Sequence, residues 1–202
     1  IIGNTRASSQ AREVVGMRVS KVDDVLRGAR TVFLKFGFEG ASVDAIAEEA
    51  KVSKATLYAH CSSKEQLFLI VVQAECDRLS AEISRPLSSR EDPRSVLEEL
   101  SRRMIDLVMD DDYIRLLRSC IGAVSVLPEA GDIYMEAGPK RATGIVARIL
   151  QGMRDAGSLH VQDCHTAAGQ FIHLSLSGVI MPRLLALEPR IDASEHSTKA
   201  TD

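Results

Sequence analysis

Tryptophan is absent from the sequence, and aromatic residues make up only 4 % of its 202 positions although 45 % are hydrophobic. A core of that size must therefore rest on Leu, Val, Ile, Ala and Met, which suits packed helices better than a β-sandwich of aromatic and β-branched runs. The four cysteines (Cys61, Cys76, Cys120, Cys164) lie far apart with no CxxC pair, so a disulfide framework is not expected. Four buried thiols in a reducing cytosol fit better. The N-terminal "IIGNTRASSQAREVVGMRVS" has no apolar run of signal-peptide length, which points to a cytoplasmic protein. One apolar stretch, "FIHLSLSGVIMPRLLAL" from Phe171 to Leu187, approaches membrane-spanning length, but it holds His173, Pro182 and Arg183 and reads as a core or interface helix.

Catalytic signatures are missing as well. There is no nucleophile elbow, no phosphate-binding glycine loop and no His–carboxylate pair at working spacing, so neither enzyme nor cofactor is expected. His160 and Cys164 have a ligand-like i, i+4 spacing, but the helix is expected to begin only near Asp163 and no second pair matches it, so no metal site is assigned. Asp110, Asp111 and Asp112 are read as a helix cap and a solvated loop.

What is present is charge asymmetry and helical punctuation. Residues 1–64 carry ten Lys and Arg against seven Asp and Glu, whereas the remainder carries 15 against 21, inside a total of −3. The local basic excess lies in the first third, where affinity for phosphate would reside.

Val22, Val25, Leu26, Ala29, Val32, Phe33 and Phe36 form the stripe of an amphipathic helix over residues 21–36, ended by Gly37. Ser42 is placed to cap a second helix with Asp44 in its first turn, and Ser53 to cap a short third one over 54–60. Both Ser62–Glu65 and Ser63–Gln66 have capping-box spacing, so a fourth helix starts at one or other serine and runs to about Ser84. Further helices are expected over 93–109, 112–126 and 139–154, with Pro93 and Pro139 at first helical positions. A last one spans 163–187 and is interrupted at Pro182. The fold class is all-α.

A helix over 42–50, a tight turn and a short helix over 54–60, braced by a longer helix in front, have the layout of a helix-turn-helix. On the short helix Lys54, Thr56, Tyr58 and His60 offer donors while Leu57 anchors the core side. The segment "GFEGASVDAIAEEAKVSKATLYAHCSSKEQLF" resembles the DNA-binding segment of the TetR family of bacterial transcriptional regulators, over roughly Val22 to Val72. That resemblance implies an N-terminal three-helix helix-turn-helix domain over 21–63, joined to a larger helical ligand-binding and dimerisation domain over 64–187. A flexible arm (1–20, with Arg6, Arg12 and Arg18) and a polar tail (188–202) flank them.

The same resemblance places Lys54, Ala55, Thr56, Tyr58 and His60 on the groove-facing side of the recognition helix. Lys54 and Ala55 are then candidates for base edges, and Thr56 and Tyr58 for phosphates. Ser42 and Lys64, at helix N-termini, are further phosphate candidates, and Ser53 caps the recognition helix. The sequence departs from the family at Cys61, where an aromatic is usual; the smaller side chain is expected to leave space.

For the larger region "IYMEAGPKRATGIVARIL" is similar to a C-terminal type found in part of the family. Met104, Val108, Leu117, Cys120, Ile121, Val124, Met153, Phe171 and Leu174 are the candidates to line a ligand pocket, with Arg118, Arg148 or His173 available for an acid group. Few of these carry charge, so the expected effector is small and mainly apolar. Ala167, Ala168, Ser175 and Gly178 would let the last helix approach a second copy closely. The resemblance thus implies a homodimer on a double-stranded DNA operator, repressing until an effector binds. The alternative is an all-helical small-molecule-binding protein or enzyme without DNA binding.

Overall fold

The computed structural model describes residues 5–87 and 92–188, with side chains from Lys21 onward; the side chains of Arg6, Arg12 and Arg18 and the tail beyond Glu188 lie outside that description, and the backbone of residues 5–20, expected as part of a flexible arm, is helical. Ten α-helices and one π turn occur in it, with no strand among the described residues. These are α1 (Thr5–Gly40), α2 (Val43–Glu49), α3 (Lys54–Tyr58), α4 (Lys64–Ile83), α5 (Pro93–Met109) and α6 (Asp111–Ala123). Then follow α7 (Glu129–Met135), the π turn (Glu136–Lys140), α8 (Arg141–Asp155), α9 (Cys164–Ser175) and α10 (Ile180–Leu184).

The expected caps form. Ser42, Ser53 and Asp92 accept backbone N–H groups from the first turns of α2, α3 and α5, and Pro93 occupies the first turn of α5. Of the two serines before α4, Ser63 is the cap, accepting Gln66 N at 3.2 Å, while the Gln66 side chain reaches back to Ser62 N at 2.7 Å. At Gly37 (φ 72°) α1 bends instead of ending, and the last turn carries Phe38 into the core.

Four further expectations need correction. Phe36, expected on the buried stripe of α1, is exposed, with the Lys35 ammonium over its ring, and Leu34 is buried instead. Pro139 does not start a helix. A helix over Glu129–Met135 precedes it and runs through the π turn into α8, the wider turn absorbing the hydrogen bond that proline cannot donate. The last long helix breaks at residues 176–179, where Gly178 takes φ 78°, and Pro182 falls in the first turn of α10, where its missing N–H costs nothing. Finally, Ala168 and Ser175 are fully buried within this chain and are not available for approach by a second copy.

One core joins α1–α3 to α4, α6 and α7: Phe33, Ile46, Leu57, Phe68, Val72, Leu116 and Ala130 belong to a single buried cluster. Within it Phe68 of α4 packs on Phe33 and Phe38, with ring centroids 5.0 Å apart in each pair. A second cluster joins the end of α4 to α5, α8 and α9. The small helices and the larger region thus share one packed core.

Candidate nucleic-acid interface and ligand cavity

The turn between α2 and α3 is closed by backbone hydrogen bonds. Lys51 adopts φ 55°, its N–H donates to Glu48 O (3.0 Å), and Val52 N–H donates to Ala47 O (3.0 Å), the paired bonds of a Schellman closure. Lysine takes a left-handed conformation there that glycine would adopt with less strain. The α2 end presses on α1 at Gly28, where an added Cβ would stand 2.7 Å from the Ala50 nitrogen. Leu57, with no exposed surface, pins α3 from below, and Cys61 fills the adjoining position as a small buried thiol, its Sγ 3.5 Å from Leu57 O. Burial pushes the Cys61 thiol pKa up, away from thiolate chemistry.

So held, α3 presents Lys54, Ala55 and Tyr58 outward, Tyr58 with 52 % of its surface exposed. Lys54 forms an exposed ion pair with Asp44 of α2, a contact that a phosphate or base edge can replace at little cost. Thr56 and Ser53 share a hydroxyl–hydroxyl bond of 2.9 Å, and Ser42 is engaged as a cap by Ala45 N at 3.1 Å. His60 is half-buried just past the end of α3.

Lys64 is placed differently from the phosphate role expected of it. Its ammonium donates to Phe38 O (3.0 Å) and Ala41 O (3.2 Å) and sits 4.4 Å from the centroid of the Phe38 ring. It fastens the α1–α2 corner onto the start of α4, and two of its three N–H groups are thereby used.

The nine residues expected at the ligand pocket disperse. Met104 and Leu117 line a cavity of about 510 Å³ enclosed by α4–α10. Val108, Cys120 and Phe171 are buried in three separate apolar clusters. Met153 borders a second cavity of about 520 Å³, beside Arg148. Ile121, Val124 and Leu174 are 54 %, 41 % and 55 % exposed, on faces turned to solvent. Helical periodicity ranks apolar residues by face, but only the packed arrangement separates solid core from cavity wall.

The first cavity is walled by Leu79, Ile83, Leu107, Ile172, Leu176 and Ile180, with no Asp, Glu, Lys or Arg in its lining among the described residues. Its polar groups are few. Tyr113 and Tyr134, which the sequence reading missed, are joined by a hydroxyl–hydroxyl bond of 2.8 Å, and His173 Nδ1 bonds Gly169 O at 2.7 Å, leaving Nε2 uncommitted among the described residues. Arg118 is occupied elsewhere, donating to Leu184 O and Arg183 O at the end of α10. The wall also carries a link to α1. Cys76 and Tyr113 line the cavity, and their chain neighbours Glu75 and Asp112 grip Arg30 of α1 at 2.6 and 2.7 Å. These two carboxylates, Glu75 foremost, raise the Arg30 pKa.

Among the described residues no three His, Cys, Asp or Glu side chains converge to hold a metal, and no helix is long and apolar enough to cross a membrane.

Comparison with known proteins matches both parts of the chain. Residues 25–71 fit the model described as bacterial regulatory proteins, tetR family, and residues 95–202 fit that of the AefR-like transcriptional repressor C-terminal domain. The transcriptional activator FasR of Mycolicibacterium smegmatis is 32 % identical over 109 residues, which cover 54 % of this chain and 47 % of FasR. The transcriptional repressor AcnR of Corynebacterium efficiens is 32 % identical over 66 residues, 33 % of this chain and 35 % of AcnR. The chain thus spans about half, or less, of these curated relatives. Among solved structures, a TetR-family regulator from Mesorhizobium loti superimposes with a TM-score of 0.83 at 25 % identity, covering 91 % of this chain and 93 % of that one. The flavonoid-responsive regulator FrrA gives 0.75 at 29 % identity, covering 89 % and 92 %.

Proposed function

The chain belongs to the TetR family of bacterial transcriptional regulators, and from that premise we propose that it is a homodimeric repressor released from its operator by a small, mainly apolar ligand. DNA-binding regulation follows from the family, whereas the sign of control, the ligand and the contact residues are inferred. Repression is favoured over activation because the model matching the larger part of the chain is that of a repressor's C-terminal domain.

The observation that carries the DNA half is the outward face of α3, where Lys54, Ala55 and Tyr58 stand exposed on a helix whose Leu57 is locked in the core. In this reading Lys54 and Ala55, at the helix start, address base edges, and Tyr58 grips the backbone. Ser42, Ser53 and Thr56 position α2 and α3 through their caps, with further hydrogen-bonding capacity for phosphates. His60 lies at the edge of the same surface. Two copies would set their α3 helices one duplex turn apart, about 34 Å.

The ligand half rests on the uncharged cavity, whose lining favours a neutral occupant. The description of FrrA as flavonoid-responsive is in keeping with a neutral class of effector. A ligand shifts the dimer only through unequal affinity for its DNA-bound and free forms. The route is short: ligand against Cys76 and Tyr113 displaces Glu75 and Asp112, these hold Arg30 of α1, and α1 carries α2 through the Gly28–Ala50 contact.

A gel-shift titration against the DNA upstream of the protein's own gene tests the reading. Wild type is expected to bind it selectively and in a salt-sensitive way, with Lys54→Ala and Tyr58→Phe each weakening binding about tenfold, as loss of one good contact would. Equal binding to unrelated DNA, or no effect of either substitution, overturns it.

A further inference from the structure

Apart from His173 Nε2 at the rim, the cavity lining contains one polar feature whose hydrogen-bonding is incomplete among the described residues. Each tyrosine hydroxyl holds one hydrogen and accepts others, so the Tyr113–Tyr134 pair has two hydrogens for a single mutual bond. The second hydrogen has no acceptor among the described residues. Two other hydroxyls in the wall have theirs: Ser80 Oγ donates to Ala137 O at 3.1 Å and Thr143 Oγ1 to Pro139 O at 3.0 Å. Tyr134 is buried and Tyr113 partly so, which places the unspent donor on the inner wall, while His173 and Met181 stand at the exposed rim. A buried donor without an acceptor is unfavourable, and any occupant that supplies one gains by that difference.

We propose that the Tyr113–Tyr134 pair is the specificity determinant of the cavity, donating one hydrogen bond to the carbonyl oxygen of a neutral and otherwise apolar effector. This rests on reading the cavity as the effector site. A carboxylate effector would be stripped of water beside aliphatic walls with no Lys or Arg among the described residues to meet it, and His173, whose ring nitrogen could, stands at the exposed rim and not on the inner wall. An ammonium effector fares no better, because the lining offers no carboxylate and burial pushes the pKa of both phenols up, so neither supplies a phenolate. A plain hydrocarbon fills the volume and leaves the donor unpaired.

The chain contains three tyrosines and no tryptophan, so in a Tyr58→Phe variant the only tyrosine emission comes from this pair. Four ten-carbon probes separate the possibilities: decanone (the methyl ketone), decane, decanoate and decylammonium. By titration calorimetry decanone is expected to bind wild type about tenfold more tightly than the other three, and to alter tyrosine emission in the Tyr58→Phe variant. Because either remaining hydroxyl can donate alone, the informative substitution is the double one, Tyr113→Phe with Tyr134→Phe. It should bring decanone down to the affinity of decane while leaving decane binding unchanged, which also shows that the cavity has kept its shape. Equal affinity for ketone and alkane in wild type, a preference for decanoate or decylammonium, or an undiminished ketone preference in the double variant overturns the proposal and leaves the cavity reading standing. Failure of all four probes to bind or to alter tyrosine emission overturns the cavity reading itself.

Discussion

Lys64 shows how a residue of the right type in the right place can act through the protein itself. With its ammonium on Phe38 O and Ala41 O, it sets the angle between the α1–α2 corner and α4. Lys64→Met is therefore expected to weaken operator binding while leaving the slope of log K against log salt unchanged. A phosphate-contacting lysine would reduce that slope by about one when removed, so fluorescence anisotropy over a salt series decides between the roles. The caps at Ser42 and Ser53 were legible in the sequence because capping is local, each hydroxyl meeting an N–H three residues on. Lys64 was not, because its partners are carbonyls brought near only by the packing of Phe38 against Phe68. The same limit hid Tyr113 and Tyr134, which lie on different helices and meet through their hydroxyls.

The relation between elements depends on two backbone positions. Gly28 lets the end of α2 touch α1, and an alanine methyl there would stand 2.7–2.8 Å from Ala50 atoms, two of them backbone, which cannot rotate away. Overpacking against backbone that cannot rotate away falls in the upper part of the usual range, about 2–3 kcal/mol, and the better helix propensity of alanine returns about 1 kcal/mol. Gly28→Ala should thus lower stability by about 1–2 kcal/mol and weaken operator binding by tilting α2 and α3. Gly122→Ala serves as the control in urea unfolding: nothing lies within 4 Å of an added Cβ, and a gain of about 0.5–1 kcal/mol is expected. A neutral or stabilising Gly28→Ala would mean that the α1–α2 contact yields easily.

Helix existence was readable from periodicity and caps, and α2 to α5 fall close to where those signals put them. The two proline misses differ in kind: Pro139, expected at a first helical position, sits in a π turn inside a continuous run, and Pro182, expected to interrupt a helix, falls in the first turn of a new one after the break at Gly178.

At the scale of the whole molecule, the shared core, the Arg30 link and the Lys64 clamp make the two regions one mechanical unit. The uncharged interior and the exposed α3 lie in that unit together, and this juxtaposition favours a regulator over a simple binding protein. Its layout was legible because the helix-turn-helix is a local arrangement of caps and one anchoring leucine. The cavity was not, since its wall is drawn from seven helices and depends on the break at Gly178.

The central claim is that two copies present α3 to successive major grooves. A spin label at Ala59→Cys, an exposed position beside α3 in a chain whose four native thiols are buried, reports the separation directly by pulsed dipolar spectroscopy. On operator DNA the account predicts a single dominant distance near one duplex turn, about 34–36 Å. The absence of a dipolar signal, or a distance below about 20 Å, too short to place the two helices one duplex turn apart, would contradict it.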